Sequence, residues 1–228
     1  MSTSDYSTDI HVLRSAKASV AAQIFFTLFA LAGIFVPLKP EDSIINEIAL
    51  LETVSQLIEL AYYLIAIWYF GKIYTWTRYI DWVISTPIML ISTMAFFEHL
   101  RDPDTRTTIG GIFDASNLTA TVLVLSFNML MLVFGLLAEL KVMLTVPALT
   151  LGGVSFVASF FIMFYHYVLH TTGLSLALFL FMYIVWGFYG IAATQSNVAR
   201  NVAYNGLDVV AKNFYGVFIL IYGFTIMI

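Results

Sequence analysis

The chain has 228 residues, of which 61% are hydrophobic and 11% charged, with a net charge of −4 and a mean hydropathy of +0.91. That balance lies far outside the soluble globular range. The chain has no cysteine, which excludes disulfides, thiolate metal sites and a cysteine nucleophile.

A membrane-crossing helix needs about 20 apolar residues. Seven such stretches succeed one another at 19–38, 45–71, 77–97, 116–138, 142–169, 171–195 and 200–228. Barrel strands alternate over about 10 residues, so the predicted fold is an all-α membrane protein, a bundle of seven transmembrane helices. Residues 1–18 carry Asp5, Asp9, Arg14 and Lys17, too polar for a signal peptide. They are read as a polar N-terminal segment ahead of one seven-helix domain over 19–228. Connections are short, apart from 98–115 with its Asp102-Pro103-Asp104 and Gly110-Gly111. Lys and Arg are spread over both sets of loops, so loop charge fixes no orientation.

In the second stretch Glu52 and Glu59 are seven apart and share a helix face with Ser55, Gln56 and Tyr63, while Glu47 lies near one end. Such a stripe faces a bundle interior or a wet cavity, and intramembrane carboxylates often mark ion paths. For Glu52 the competing reading is an interfacial position from which the side chain snorkels to water. The third stretch opens Arg78-Tyr79-Ile80-Asp81-Trp82-Val83-Ile84-Ser85-Thr86-Pro87. Arg78, Asp81 and Ser85 fall on one face. The fifth carries Gly152-Gly153 and ends near His166 and His170, which read as interfacial; no metal-ligand cluster accompanies them.

In the last stretch Lys212 stands one turn after Asp208, on the same face. A lysine at that depth costs several kcal/mol and marks a functional site by default. Buried lysines become amine nucleophiles that form Schiff bases with aldehydes. The alternative is a structural Lys–Asp ion pair. Arg78, Asp81, Asp208 and Lys212 read together as one cluster whose charges compensate across two helices.

The Arg-Tyr-x-Asp-Trp-x-x-Ser-Thr-Pro run, followed by Asp-x-x-x-Lys in the seventh helix, resembles the microbial (type 1) rhodopsins. Trp186-Gly-Phe-Tyr189 is similar to their sixth-helix pocket, and Asn128-Met-Leu-Met131-x-x-x-Gly135 to their fourth. The resemblance implies all-trans retinal bound to Lys212 as a protonated Schiff base. Asp81 and Asp208 would be its counterions, with Arg78 stabilising them through water. Trp82, Thr86, Met89, Met131, Gly135, Trp186 and Tyr189 would line the polyene, with Met89 at a position where apolar residues go with green absorption. Negative charge nearby favours the charged Schiff base, and isomerisation would break that ion-pair geometry. Asn128 replaces the family's aspartate, so a Thr86–Asn128 hydrogen bond is expected there. Gly152-Gly153 stands where many relatives place a tryptophan. It opens a window beside the retinal ring, as in relatives with a carotenoid antenna, or makes a close helix contact.

Outward proton pumps of this family place a donor carboxylate eleven residues after the acceptor, and that position is Ser92. The acidic release pair is missing too, since Thr194 to Asn201 holds no Asp or Glu. Sodium and chloride pumping do not fit Asp81, Ser85 and Ser92, and the presence of Asp208 counts against an inward proton pump. Second-helix carboxylates instead resemble channelrhodopsins. Together with Lys212-Asn213 they resemble the first, channel-like subgroup of giant-virus rhodopsins. The expected function is a light-gated cation channel, its path lined by Ser19, Glu52, Glu59, Ser85, Ser92 and Asn213. A slow outward proton pump and a photosensor are the alternatives. The implied partners are the lipid bilayer and monovalent cations or protons, with a trimer or pentamer as the family's usual assembly. No enzymatic activity, metal or nucleic acid is expected, and the resemblance puts the N-terminus outside the cell.

Overall fold

The computed structural model describes residues 6–7, 10–102, 108–169 and 171–227. Asp5, Asp9, the Pro103-Asp104 pair and His170 lie outside the described residues. Among the described residues seven helices are long and apolar enough to cross a bilayer, and the protein is an integral, multi-pass membrane protein. The first helix is Ile10–Gly33, the second Ile44–Leu64 and the third Arg78–Arg101. The fourth is Leu118–Glu139, the fifth Thr145–Met163 and the sixth Gly173–Ala193. The seventh runs as Asn197–Asp208, a π-helical turn Val209–Asn213, and Phe214–Ile226. The second and fifth also end in π turns, Ile65–Tyr69 and Phe164–Val168.

The first helix begins well before position 19, where hydropathy alone starts it. Its buried residues Val12, Ala16, Ser19, Val20, Gln23, Thr27 and Ala30 repeat at helical spacing, so one inward face continues through the charged segment. The helix holds because that face packs, whatever the polarity of its outer side. A two-residue antiparallel bridge pairs Tyr6 with Tyr74 and Ser7 with Ile73, joining the chain's start to the turn before the third helix.

The third helix is the axis of the bundle. Its span is 67% buried, against 28% for the fourth, so the fourth is a lipid-facing wall. Pro87 lies inside the third helix and leaves the Val83 carbonyl without its usual N–H partner. The largest apolar core gathers Met89, Leu90, Met94, Phe96 and Phe97 with Phe160, Met182, Trp186 and Tyr215. The connection after the first helix is tied down by Asn46, whose amide reaches the carbonyls of Gly33, Ile34 and Val36 at 3.0–3.1 Å. Glu47 accepts from the Ile109 N–H at 3.1 Å, which fixes the far loop against the second helix.

Candidate functional site

The third and seventh helices present matching polar stripes. Arg78, Asp81, Ser85 and Ser92 descend one face of the third and are all buried. On the seventh, Asn201, Asn205, Asp208 and Lys212 recur at three- and four-residue intervals, also buried. The π turn begins just after Asp208 and contains Lys212. One extra residue in that turn rotates the remainder of the helix, Phe214–Ile226, about its axis.

Lys212 Nζ donates to Asp81 Oδ2 at 2.7 Å and stands 3.6 Å from Glu59 Oε2. Asp208 takes a different set of partners. Its carboxylate accepts from Arg78 at 3.0 Å, Tyr63 at 2.7 Å, Tyr189 at 2.8 Å and the Trp82 indole at 3.3 Å. The Arg78–Asp208 pair is therefore a direct salt bridge, where a water-mediated one was expected. Arg78 also donates to Tyr63 and Asn205, and its guanidinium lies over the Tyr63 and Tyr204 rings at 5.3 and 5.6 Å. Asn205 in turn donates to Ser15 of the first helix at 2.8 Å. This end of the bundle is a closed network.

The second-helix glutamates both point inward. Glu52 is fully buried, which rules out an interfacial snorkelling position, and its carboxyl is within hydrogen-bonding reach of the Ser92 hydroxyl. Glu59 accepts from Gln23 at 2.8 Å, and Gln23 also donates to Ser19 at 2.9 Å. Ser19 thus joins Glu59 through Gln23, and Glu59 belongs to the surroundings of Lys212 as well as to the glutamate row. Asn213 is fully buried, yet neither of its amide atoms meets a partner among the described residues; the same holds for Ser55 Oγ, Gln56 Oε1 and Glu52 Oε2.

Beside this polar seam lies an apolar cavity. Trp82, Thr86, Met89, Met131, Gly135, Trp186 and Tyr189 line it, together with Tyr79, Phe156, Ala211 and Lys212. Gly135 is needed there, because a Cβ at that position would come within 2.6 Å of the Tyr79 hydroxyl. Asn128 donates to Thr86 at 2.8 Å, as expected. The Gly152-Gly153 pair divides its roles. Gly152 packs on the fourth helix, where a Cβ would lie 3.5 Å from the Met131 carbonyl, whereas a Cβ at Gly153 would meet nothing within 4 Å. His166 pairs with Asn117 at 2.9 Å, a structural contact at the helix end. No group of three His, Cys, Asp or Glu residues able to hold a metal occurs among the described residues.

Gln23, Asn201, Asn205 and Tyr204 join the site beyond the residues expected from the sequence. The signal for three of them was present: Gln23 lies one turn after Ser19, and Asn201 and Asn205 extend the Asp208–Lys212 stripe backwards by single turns. Tyr204 also falls one turn before Asp208, but an aromatic ring there reads as ordinary packing, and its contact with Arg78 is visible only in the structure.

The geometry defines a membrane-embedded lysine held between carboxylates on the wall of an aromatic cavity. The chain belongs to the bacteriorhodopsin-like protein family, whose model matches residues 15–226. Retinal is the chromophore of that family. A long apolar aldehyde fits a cavity whose lining is aromatic and aliphatic and which carries one amine. No curated protein sequence matches the chain. Among solved structures it is similar to the viral rhodopsin OLPVRII, with a TM-score of 0.82 at 21% identity over 94% of this chain and 98% of that one. It is also similar to the light-driven proton pump LR (Mac) from Leptosphaeria maculans, with a TM-score of 0.73 at 13% identity over 96% and 98%. Bromide-bound halorhodopsin from Halobacterium salinarum gives a TM-score of 0.72 at 16% identity over 94% of each chain. At these identities the likeness concerns the fold.

Proposed function

We propose that the chain is a light-gated cation channel of the viral, channel-like kind. One observation carries this reading: a seam of buried polar side chains, several with atoms that meet no partner among the described residues, runs between the first, second, third and seventh helices past Lys212. Buried polar groups left unpaired by protein take up water, and a hydrated row of carboxylates inside a bilayer suits cation passage.

Lys212 is the attachment point for all-trans retinal as a protonated Schiff base, and retinal supplies light absorption and a change of shape. Asp81 is the partner of that nitrogen, being its nearest carboxylate. Asp208 is the fixed counterion, held in place by Arg78, Tyr63, Tyr189 and Trp82. Glu59 and Gln23 join the Lys212 site to Ser19; Glu52 and Ser92, with Ser85 and Asn213, continue the path. With the N-terminus outside, the Arg78 network is the extracellular closure and the Glu52–Ser92 contact the barrier toward the cytoplasm. The membrane and monovalent cations or protons are the partners, in a homo-oligomer of the family's trimeric or pentameric kind, and the role assigns no enzymatic reaction.

The second reading is a slow outward proton pump. It draws on Glu52, a carboxyl in contact with Ser92, the position where pumps of this family hold their donor. Whole-cell photocurrent against voltage, in retinal-supplied cells, separates the two. A reversal potential that tracks the cation gradient establishes the channel. Outward current persisting at zero gradient establishes the pump. Loss of all visible absorption in Lys212→Ala, with the wild type coloured, tests the attachment site itself.

A further inference from the structure

The π turn that carries Lys212 has a partner on the second helix that the proposed function leaves without a role. Gln56 lies between Glu52 and Glu59 on the same buried face and is itself fully buried. Its Nε2 donates to the backbone carbonyl of Lys212 at 3.4 Å. A π segment breaks the regular i→i−4 ladder, so backbone groups in and beside it look for partners elsewhere. A side chain inserting into the ladder is a recognised way to fix such an irregularity.

Gly216, one turn after Lys212, makes the approach feasible. A Cβ at Gly216 would stand 2.2 Å from Gln56 Nε2, while its next neighbour, the Ala30 Cβ, would be at an ordinary 3.4 Å. The residue that excludes a side chain here is Gln56. Its Oε1 has no partner among the described residues, and the amide is anchored there through its nitrogen. Gly216 also sits in a helix, where glycine costs up to about 1 kcal/mol relative to alanine. That cost is explained if the space belongs to the Gln56 amide.

We infer that Gln56 is a positioning residue: its amide, admitted by Gly216, holds the Lys212 turn of the seventh helix and thereby sets the aim of the Lys212 side chain toward Asp81. The link also ties the glutamate row of the second helix to the backbone that bears the retinal attachment, so a movement of that turn is felt between Glu52 and Glu59. The role of that turn as the retinal attachment rests on the proposed function; the carbonyl contact does not.

The test is a double-mutant cycle read by infrared difference spectra, each variant minus wild type, on protein labelled with ¹³C at the lysine carbonyls, before retinal is added; the carbonyls of Lys17, Lys39, Lys72 and Lys141 cancel in the difference. Gln56→Ala should move the Lys212 carbonyl band to higher frequency. Gly216→Ala should produce the same shift, because the new methyl displaces the Gln56 amide. The double variant should shift no further than Gln56→Ala alone. A band unmoved in Gln56→Ala, or a Gly216→Ala shift that adds fully to it, overturns the inference. With retinal added, both single variants should displace the visible maximum in the same direction, and equal displacement marks one shared contact. A wild type that stays colourless while the carbonyl shifts appear defeats the retinal reading and leaves the Gln56 contact standing.

Discussion

Ser92 and Glu52 meet across the interface of the third and second helices, and the hydroxyl between them has a single proton to give. Ser92 Oγ lies within hydrogen-bonding reach of both the Glu52 carboxyl and the Met89 carbonyl. One O–H cannot serve two acceptors. The contact is satisfied when Glu52 carries a proton and donates to Ser92, which then donates to Met89. Glu52→Gln should therefore remove one protonated-carboxyl band from the infrared spectrum of the dark state, and Ser92→Ala should raise that band's frequency. A dark spectrum unchanged by Glu52→Gln would show an ionised Glu52.

The two aspartates around Lys212 should respond differently to neutralisation. Asp208→Asn leaves the fully buried Arg78 without its only salt-bridge partner among the described residues. Breaking a buried pair from one side costs about 3–5 kcal/mol, so a large fall in Tm is expected in detergent. Asp81→Asn removes the nearest partner of Lys212 but leaves Glu59 at 3.6 Å. Its expected signature is a displaced visible maximum with a smaller loss of Tm. Equal destabilisation by the two variants would contradict the division of roles between them.

Asn128 and Thr86 join the fourth helix to the third beside the cavity. Asn128→Leu removes the bond at 2.8 Å, but Thr86 still donates to the Trp82 carbonyl, so no donor is orphaned. The loss should be about 1 kcal/mol, the net worth of a neutral hydrogen bond. Flash photolysis should show a changed rate of photocycle decay with pigment yield retained. An unaltered decay would make the contact purely structural.

Gly135→Ala should impair chromophore uptake while leaving the helix content intact. The added methyl meets the ring and hydroxyl of Tyr79 at 2.6–3.2 Å, and overpacking of this kind costs about 1–3 kcal/mol. Circular dichroism should match the wild type while absorbance per protein falls after retinal addition. Gly135→Ala combined with Tyr79→Phe should recover part of the yield.

The positions of the charges were legible because ionisable residues are so rare in apolar runs that each one stands out. Spacing puts Arg78 with Asp81 and Asp208 with Lys212, and the need of buried charges to compensate groups the two pairs. The pairing within the group was not legible: nothing in the sequence assigns Arg78 to Asp208 and Lys212 to Asp81. That choice depends on how far the seventh helix is rotated, and the π turn after Asp208, which contributes to that rotation, leaves no signature in Val209–Asn213. The stripe in the second helix marks Glu59 as inward-facing, but its 3.6 Å approach to Lys212 depends on the relative height of two helices that are distant in sequence. The early start of the first helix was missed for a simpler reason. A hydropathy window averages Arg14 and Lys17 with their neighbours and cannot see that Val12 and Ala16 turn inward.

Gly153 and Gly190 both line the aromatic cavity, both are exposed, and a Cβ at either would meet no neighbour within 4 Å among the described residues. The cavity is thus thin-walled on a flank that looks into the hydrocarbon. For a chromophore as insoluble as retinal, that makes assembly of the pigment a matter of lateral partitioning. Its rate would scale with the amount dissolved in the surrounding lipid, and bulky residues at these two glycines would slow the acquisition of colour without altering the colour finally reached.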